Sequence, residues 1–577
     1  MKNLNIFKSV VFGITACVVL TGCEKDFLEV IPTDRVSDAA ILSDSTLFEA
    51  YVTNRYIGVK LTNKEGDSNQ PGFGRGFEYG MWSSLTDESI YNNNDDTWLI
   101  QQGQLAPGNL GIAGVFWARS YRSIREINYA LNNIAQVPMS ESHKNRLIAE
   151  LKFIRAFRYH DLIRNYGKVV LMGDKVVELG ENYQDPANFD RRSIDEAMTY
   201  VIAQLDEAAA GLPVANSNNY GEGRATKGAA LGLKSRLLLY AASPLYTGGS
   251  GSTQKWAAAA QAAKDVMNLG VYSLYQGGYT QLFTNQQSNS EYIFARFYNL
   301  TGRHLALEIA NGPNGYGGWG GNVPLQNLVD DYEMTDGSAF SWSNPAQAAS
   351  PYTNRDPRFA ATVLYDGAPY RDRTVETYKS VNNAPISEGG YPDGQDSPGG
   401  RDNWNTSKTG YYLRKFIRED LPIINPWEVA GVQNWIYMRY AEILLNYAEA
   451  QNEAVGPDAT VYDAINSIRS RSSVGMPALP AGLTQSEMRT RIQHERRIEL
   501  AFEEHRFYDV RRWKIAEVTE NRPAQGINIV RALDGTKTYS VFTALAGKSF
   551  QPQHYWLPIP RFEIQASNNQ LEQNPQY

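Results

Sequence analysis

The chain has 577 residues, with 55 Lys and Arg against 62 Asp and Glu and a formal net charge of −7. A mildly acidic chain without a long basic run is a poor candidate for binding nucleic acid, because that binding depends on neutralising phosphates. A chain of this length buries most of its surface on folding, so a hydrophobic core alone can stabilise it.

The N-terminus has the pattern of an export signal. Two lysines lie among the first eight residues, and an apolar segment at 9–20 is too short to span a bilayer, which needs roughly 20 apolar residues. The sequence Leu-Thr-Gly-Cys at 20–23 resembles the lipobox of bacterial lipoproteins, which are cut before a cysteine that is then lipidated. We therefore expect residues 1–22 to be a lipoprotein signal peptide and Cys23 to carry acyl chains, palmitate among them, that hold the protein at the membrane.

The other cysteine, Cys17, lies inside the predicted signal, so the chain after cleavage has no second thiol for a disulfide. Residues 24–26, Glu-Lys-Asp, resemble the acidic export tag of surface-exposed lipoproteins in Bacteroidetes. A polar tether has the same composition, and both interpretations stay open.

Amphipathic stretches predict paired helices along much of the chain. The predicted helices are 114–135 with 143–166, 193–211 with 225–246, a further helix at 254–269, and 435–454 with 460–472. In the last pair Tyr440-Ala441 recurs as Tyr447-Ala448, and alternating large and small side chains suit close helix packing. These pairs resemble tetratricopeptide units, although their spacing is too irregular for a regular solenoid.

Two long segments between the helices differ in composition. Residues 60–110 and 299–430 are rich in Gly, Asn, Asp, Ser and Pro, and they contain Trp82, Trp98, Trp319, Trp342 and Trp404. Disordered segments are poor in aromatic residues. We therefore expect ordered loops carried on a helical scaffold.

Motifs in a fixed order resemble the SusD/RagB family of outer-membrane lipoproteins. They are SSLTDES at 83–89, FWARSYRSIREINYALNNI at 116–134, ELKFIRAFRYHDLIRNYGKVVL at 150–171, SKTGYYLRKF at 407–416, YMRYAEILLNYAEAQNE at 437–453, INSIRSRSSVGMP at 465–477, ERRIELAFEEHRFYDVRRWK at 495–514 and LPIPRFEIQASNNQLEQNPQY at the C-terminus. No single motif is decisive, but their joint order is specific.

The resemblance implies a mainly α fold in which four tetratricopeptide-like helix pairs cradle an irregular ligand-binding part of loops and short strands. Residues 23–577 would form one domain, with the scaffold mainly at 114–298 and 434–515 and the variable parts mainly at 60–110 and 299–430. The implied function is capture of an oligo- or polysaccharide at the cell exterior. The protein would act there as the lid of a TonB-dependent (SusC-like) outer-membrane transporter.

Aromatic and polar residues of the variable loops are the candidates for a glycan site. Aromatic rings cover the apolar face of a sugar, while Asp, Asn, Arg and Gln bind its hydroxyl groups. The expected ligand-binding residues are Asp67, Arg75, Trp82, Trp98, Tyr316, Trp319, Arg371 and Tyr391, with Arg303 as a further candidate. The resemblance places the glycan site in these loops, but binding residues diverge within the family, so none is carried over by motif.

The carboxylates of residues 495–514, which we predict to lie on one helix, allow a second interpretation of the function. Paired carboxylates about 5 to 10 Å apart could hydrolyse a glycoside. Alternatively they form ion pairs at i, i+3 and i, i+4, such as Arg506 with Asp509 and Asp509 with Arg512. The resemblance favours the structural interpretation, so we expect no enzymatic activity. A surface endo-glycosidase and a lid that binds peptides or other nutrients remain the alternatives.

Other motifs give weak signals. The sequence HER at 494–496 lacks the second histidine of a metalloprotease helix, and GYGGWG at 315–320 lacks the strand and helix of a dinucleotide site. The sequence NNNDD at 92–96 has oxygen ligands that could hold a structural calcium, without the glycine and glutamate of an EF-hand. We otherwise expect no cofactor and no catalytic metal.

Overall fold

The computed structural model describes residues 37–57, 77, 79–94, 96–114, 116–178, 180–215, 220–249, 251–299, 307–382, 389–423 and 431–577. Its helices are α1 (Asp38–Ser43), α2 (Ser45–Ile57), α3 (Thr97–Gln101), α4 (Phe116–Asn133), α5 (Glu141–Tyr166), α6 (Ile194–Gly211), α7 (Lys227–Ala242), α8 (Pro244–Thr247), α9 (Thr253–Met267), α10 (Tyr279–Thr284), α11 (Leu307–Asn311), α12 (Gln326–Asp331), α13 (Pro345–Ala349), α14 (Pro357–Thr362), α15 (Tyr440–Ala454), α16 (Ala459–Arg469), α17 (Gln485–Glu499), α18 (Arg506–Arg512), α19 (Ala516–Thr519) and α20 (Arg561–Ala566).

The strands are short. They are β1 (Ser89–Tyr91), β2 (Val169–Val170), β3 (Arg191–Arg192), β4 (Tyr292–Arg296), β5 (Asn322–Pro324), β6 (Val363–Leu364), β7 (Pro369–Tyr370), β8 (Arg373–Thr374), β9 (Lys379–Ser380), β10 (Tyr412–Leu413), β11 (Trp435–Arg439), β12 (Ala524–Arg531) and β13 (Lys537–Leu545). The longest pairing is the antiparallel β12–β13 hairpin, and β9 pairs with β12 in parallel. The predicted mainly α architecture with short strands is confirmed.

The long helices form a scaffold by packing one against the next. Helix α4 packs on α5, α5 on α6, α6 on α7, α7 on α9, and α9 on α15, which also packs on α16 and α17. Capping boxes define where two of these helices begin, because Ser193 and Glu196 satisfy the first backbone groups of α6, and Thr484 and Glu487 those of α17. None of the helices within the described ranges is long and apolar enough to cross a membrane.

The predicted helix at 435–454 is wrong in its first five residues. Residues 435–439 form β11, which pairs antiparallel with β4, and α15 begins only at Tyr440. Trp435, Ile436 and Met438 are buried, so the run is a short strand of aromatic and branched residues inside the core. The run is continuous with the apolar pattern of the helix, and periodicity alone cannot separate the two.

The expectation of one helix through 495–514 is also wrong. Helix α17 ends at Glu499 and α18 begins at Arg506, and in the turn between them Phe502 and Glu504 have φ angles of 63° and 70°. Of the two predicted ion pairs, Asp509 with Arg512 is confirmed at 2.8 Å. Arg506 instead pairs with Asp87, at 2.8 Å.

Candidate functional site

The β1–β5 ladder brings two of the aromatic-rich loops together. Ile90 pairs with Val323 in this ladder and both side chains are fully buried, which fixes its register. The chain leaves β1 into the loop that leads to α3, while the loop at 315–321 enters β5. The ladder therefore sets the two loops side by side.

Trp319 and Tyr79 form a tilted aromatic pair on this side of the molecule. Their ring centroids lie 6.2 Å apart with an angle of 35° between the ring planes. Tyr79 is 40% exposed and Trp319 is half-buried. Gly320 lets the loop pass close to a third segment, since it has a φ angle of 62° and a Cβ there would lie 2.6 Å from the carbonyl oxygen of Asn405.

That third segment presents Trp404, which the sequence analysis did not include among the ligand-binding candidates. Trp404 lies in a short 3-10 helix, Asn403–Asn405, and is 74% exposed. An ordered tryptophan in this position offers a large apolar face to solvent. The sequence feature that could have indicated Trp404 is the polar run GGRDNWN at 399–405. Its glycines lie near the tryptophan, as glycines also do on both sides of Trp319. Tyr79, Trp319 and Trp404 are called the aromatic surface below.

Trp98 lies beside the aromatic surface, and its polar group is already used. The indole Nε1 donates to the carbonyl oxygen of Tyr91 at 3.0 Å, and the Lys408 Nζ lies 5.4 Å from the ring centroid. Trp98 is half-buried against the cluster around the β1–β5 ladder. The predicted role of Trp98 in ligand binding stays a prediction, limited to the exposed part of its ring.

Two other predicted ligand residues are held by the protein itself. Tyr316 donates its hydroxyl to the carbonyl oxygen of Tyr370 at 2.5 Å, and the Arg373 guanidinium lies 4.0 Å from its ring centroid. Arg371 donates to the carbonyl oxygens of Arg418, at 3.3 Å, and Leu421. These contacts give both side chains a structural role, and because both are only half-buried, their predicted roles in ligand binding stay predictions.

The prediction that Trp82 contacts a ligand is wrong, because its side chain is packed inside the core. Trp82 is 1% exposed, and its ring lies 4.4 Å from that of Phe507 and 5.4 Å from that of Phe116, between centroids. Its backbone N–H donates to Glu504 Oε1 at 2.8 Å. Trp82 is a core residue because α18 and α4 close over it.

Tyr391 is the last predicted ligand residue within the described ranges. Tyr391 is half-buried beside β9, two residues before Asp393, whose carboxylate accepts the Ser380 N–H at 2.7 Å. The other members of the predicted set lie outside the described residues: Cys23, Asp67, Arg75 and Arg303.

The predicted calcium loop at 92–96 uses its amide oxygens within the protein. Asn92 Oδ1 accepts the Lys408 N–H at 2.9 Å, and Asn94 Oδ1 accepts the Trp98 N–H at 3.1 Å. Asp95 lies outside the described residues. Across the residues that the structure does describe, no group of three His, Cys, Asp or Glu could hold a metal ion. Calcium binding stays a prediction.

The carboxylates considered for glycoside hydrolysis are buried and paired with cations. Glu495 contacts Arg358 and Arg469 at 2.5 and 2.9 Å, and Glu499 contacts Arg439 and Arg358 at 2.7 and 2.9 Å. Burial alone would raise the pKa of Glu499, but the charges of Arg471, Arg439 and Arg358 hold it well below its usual range. A general acid needs a raised pKa and access to its substrate. This network therefore has the properties of a structural element that joins α14, β11 and α17.

Successively packed helices that carry aromatic loops and short strands place the chain in the class of mainly α proteins. Comparison with protein families gives the membership within this class. The SusD family model matches residues 276–577, and the model described as "Starch-binding associating with outer membrane" matches residues 26–239. The chain belongs to the SusD/RagB family.

Individual relatives support the same assignment. The chain is 26% identical over 544 residues to SusD-like protein P2 of Formosa agariphila, covering 86% of this chain and 91% of the relative. A SusD-like protein from Bacteroides fragilis superposes with a TM-score of 0.75 at 29% identity, covering 95% of this chain and all of the other. A SusD-like carbohydrate-binding protein from Bacteroides fragilis gives a TM-score of 0.72 at 26% identity, covering 92% and 99% of the two chains.

Proposed function

We propose that this protein is a cell-surface lipoprotein that captures an oligo- or polysaccharide and delivers it to a partner TonB-dependent transporter of the outer membrane. The observation that carries the proposal is the aromatic surface, in which the 74% exposed Trp404 lies on the loop next to the tilted pair of Trp319 and Tyr79. The match of residues 26–239 to a family model described as starch-binding supports it, as does similarity to a carbohydrate-binding protein.

Capture would proceed by binding without bond cleavage. The faces of Trp319, Trp404 and Tyr79 would stack on the C–H faces of successive sugar rings. Polar side chains next to them, such as those of Asn403 and Lys408, would select hydroxyl orientation through hydrogen bonds. Because only the surplus over ordering and desolvation costs appears as binding free energy, we expect modest affinity.

Anchoring through Cys23 and a position over the transporter barrel complete the proposal. The outer-membrane description of the family model matching residues 26–239 supports this location. A lipid anchor would hold the aromatic surface near the transporter, which raises the effective concentration of captured glycan at its entrance.

The proposal is tested by isothermal titration of protein beginning after Cys23 against a panel of plant, microbial and host polysaccharides, with product analysis in the same samples. We expect saturable binding to one linkage class, no shortening of the glycan, and loss of binding in Trp404→Ala. The matched control is Tyr183→Ala, since Tyr183 is also an exposed aromatic residue, at 67%.

Three results would redirect the proposal. Glycan shortening that one carboxylate substitution removes would favour the glycosidase. Saturable binding to peptides but to no glycan in the panel would favour a peptide-binding lid. Equal loss of glycan binding in Trp404→Ala and Tyr183→Ala would remove the aromatic surface as the site.

A further inference from the structure

Two buried asparagines lie beneath the aromatic surface. Asn322 is 0% exposed and Asn92 is 3% exposed, so neither can contact a ligand. They occupy adjacent places at one end of the β1–β5 ladder, where Asn322 pairs with Tyr91. The Asn92 N–H donates to the carbonyl oxygen of Gly321 at 2.7 Å, which continues the contact between the strands by one residue.

The side chain of Asn322 joins the segment that carries Tyr79 to the strand that follows the Trp319 loop. Its Nδ2 donates to the carbonyl oxygen of Tyr79 at 2.7 Å, and its Oδ1 accepts the Met81 N–H at 2.9 Å. The same Nδ2 donates to Asn311 Oδ1 at 2.9 Å. The amide therefore uses both its donor and its acceptor groups, as a buried amide must.

The Trp319 loop is fixed on its other side by helix α11. The Trp319 N–H donates to the carbonyl oxygen of Ile309 at 2.7 Å, and the Gly321 N–H donates to that of Ala310 at 2.6 Å. Only two residues separate Trp319 from Asn322. A shift of Asn322 is therefore transmitted to the backbone of Trp319.

Asn92 makes the corresponding connection to the loop that carries Trp404. Its Nδ2 donates to the carbonyl oxygen of Thr406 at 2.9 Å, and its Oδ1 accepts the Lys408 N–H at 2.9 Å. Both partners lie within four residues of Trp404. The three segments of the aromatic surface are thus tied to one point beneath it.

We propose that Asn322 and Asn92 are positioning residues that set the separation and tilt of Tyr79, Trp319 and Trp404, and so determine which glycan repeat the aromatic surface fits. The role in glycan selection rests on the proposed function. The physical reason is that a buried amide network is fully satisfied in one arrangement only, so it holds the loops in the binding geometry before ligand arrives.

Substitutions that keep the size of the side chain test the proposal. Asn322→Asp removes the donor to the Tyr79 carbonyl oxygen and to Asn311 Oδ1, and it keeps an acceptor for the Met81 N–H. Asn92→Asp removes the donor to the Thr406 carbonyl oxygen and keeps an acceptor for the Lys408 N–H. Each change also introduces a buried carboxyl group, which the control below introduces as well. The matched control is Asn452→Asp in α15, because Asn452 is also 0% exposed and its Nδ2 donates to a backbone carbonyl oxygen, that of Gln485, at 3.0 Å.

Affinity is measured for the glycan that the wild type binds, at a temperature where all variants are folded. We expect Asn322→Asp to bind about three- to tenfold more weakly, the range that loss of one aromatic contact gives, and Asn452→Asp to bind as the wild type does. In a background in which both Tyr79 and Trp319 are replaced by alanine, Asn322→Asp should weaken the remaining binding by less than a further twofold, because Asn322 acts through those two rings. Losses that multiply in this combined variant would overturn the proposal, since general destabilisation gives that result.

A second readout needs no glycan. Protein labelled with 5-fluorotryptophan is examined by ¹⁹F NMR, with resonances assigned from Trp319→Phe, Trp404→Phe and Trp256→Phe variants. We expect Asn322→Asp to shift or broaden the Trp319 resonance and Asn92→Asp that of Trp404, while buried Trp256 in α9 is unchanged. Unchanged resonances of Trp319 and Trp404 would overturn the positioning role. A wild type that binds no glycan would overturn only the proposed function.

Discussion

The ring of Trp319 lies 6.2 Å from that of Tyr79 at an angle of 35°, so the two rings do not form one plane. A glycan that stacks on both must turn between neighbouring sugars, because stacking is favourable only when ring and sugar face are close to parallel. If the proposed site is correct, we therefore expect the pair to favour chains that curve. A flat, ribbon-like chain can lie parallel to only one of the two rings at a time.

We accordingly expect oligosaccharides of curved glycans to bind more tightly than flat ones of equal length. The measurement compares glucose hexamers linked β-1,4, β-1,3 and α-1,4 by isothermal titration, so that monosaccharide and chain length are the same and the linkage sets the chain shape. The β-1,4 hexamer should bind most weakly. Tightest binding of this flat chain would contradict the inference from the tilt.

Trp82→Ala should destabilise the fold and leave the intrinsic glycan affinity intact. Trp82 is packed between Phe507 and Phe116, and removing a large aromatic side chain from a core costs about 3–5 kcal/mol. Urea unfolding followed by circular dichroism measures the loss. Trp404→Ala is the opposite case, with an unchanged urea midpoint because the side chain is exposed. A wild-type midpoint for Trp82→Ala would contradict its place in the core.

Glu499→Gln should be strongly destabilising. The substitution leaves Arg439, Arg471 and Arg358 without a charge that all three contact, and removal of one partner from a buried ion pair costs about 3–5 kcal/mol. Glu141→Gln is the control, because the Glu141–Lys144 pair is at the surface and such pairs contribute about 0–1 kcal/mol. Equal effects of the two substitutions on the free energy of unfolding would contradict the importance of the network.

The same network predicts acid lability. The folded-state pKa of Glu499 and of Glu503 is lowered, against a burial effect that alone would raise it, by arginine and lysine charges. The stability that these two ionised carboxylates contribute is therefore fully present above the unfolded-state pKa of 4.5. It is lost as the pH falls below 4.5 towards the folded-state pKa. The free energy of unfolding, measured from pH 6 to pH 3, should fall more steeply for the wild type than for Glu499→Gln. Parallel curves would be inconsistent with this expectation.

Glu88 has the opposite dependence on pH. Burial raises its pKa from 4.5 to about 7, partly offset by the charges of Arg497 and Arg506. The stability that the protonated carboxyl group contributes to the folded state is therefore fully present below pH 4.5, and it is lost as the pH rises through about 7. We expect Glu88→Gln, relative to the wild type, to gain stability between pH 5 and pH 8 in urea titrations. A constant difference over this range would show that Glu88 does not titrate there.

Cys23→Ser should abolish lipid anchoring. In cells grown with labelled palmitate, the wild type should carry label and sediment with membranes, because several acyl chains are needed for stable attachment. The variant should carry no label. Cys17→Ser is the control, since Cys17 lies in the predicted signal and should not affect labelling. Label on the Cys23→Ser protein would refute the lipobox interpretation.

Sequence periodicity predicted the scaffold helices well, since a helix that packs on two neighbours repeats its apolar residues over several turns. It failed at 435–439, where a strand of five residues gives too short a pattern. Composition also indicated which segments carry the aromatic surface. It could not distinguish Trp82 from Trp404, because the burial of Trp82 depends on Phe507, which is distant in sequence and brought near by the fold alone.

The position of α9 between α7 and α15 has a consequence for biogenesis. Helix α9 ends at Met267, yet α15, which packs on it, ends only at Ala454. A nascent chain that has just completed α9 therefore exposes an alanine-rich apolar surface until nearly two hundred further residues have been synthesised. Such surfaces promote aggregation of incomplete chains. We expect the polypeptide to need a holding chaperone during this interval, and ribosome-stalled chains that end before Tyr440 to be the ones that a chaperone captures.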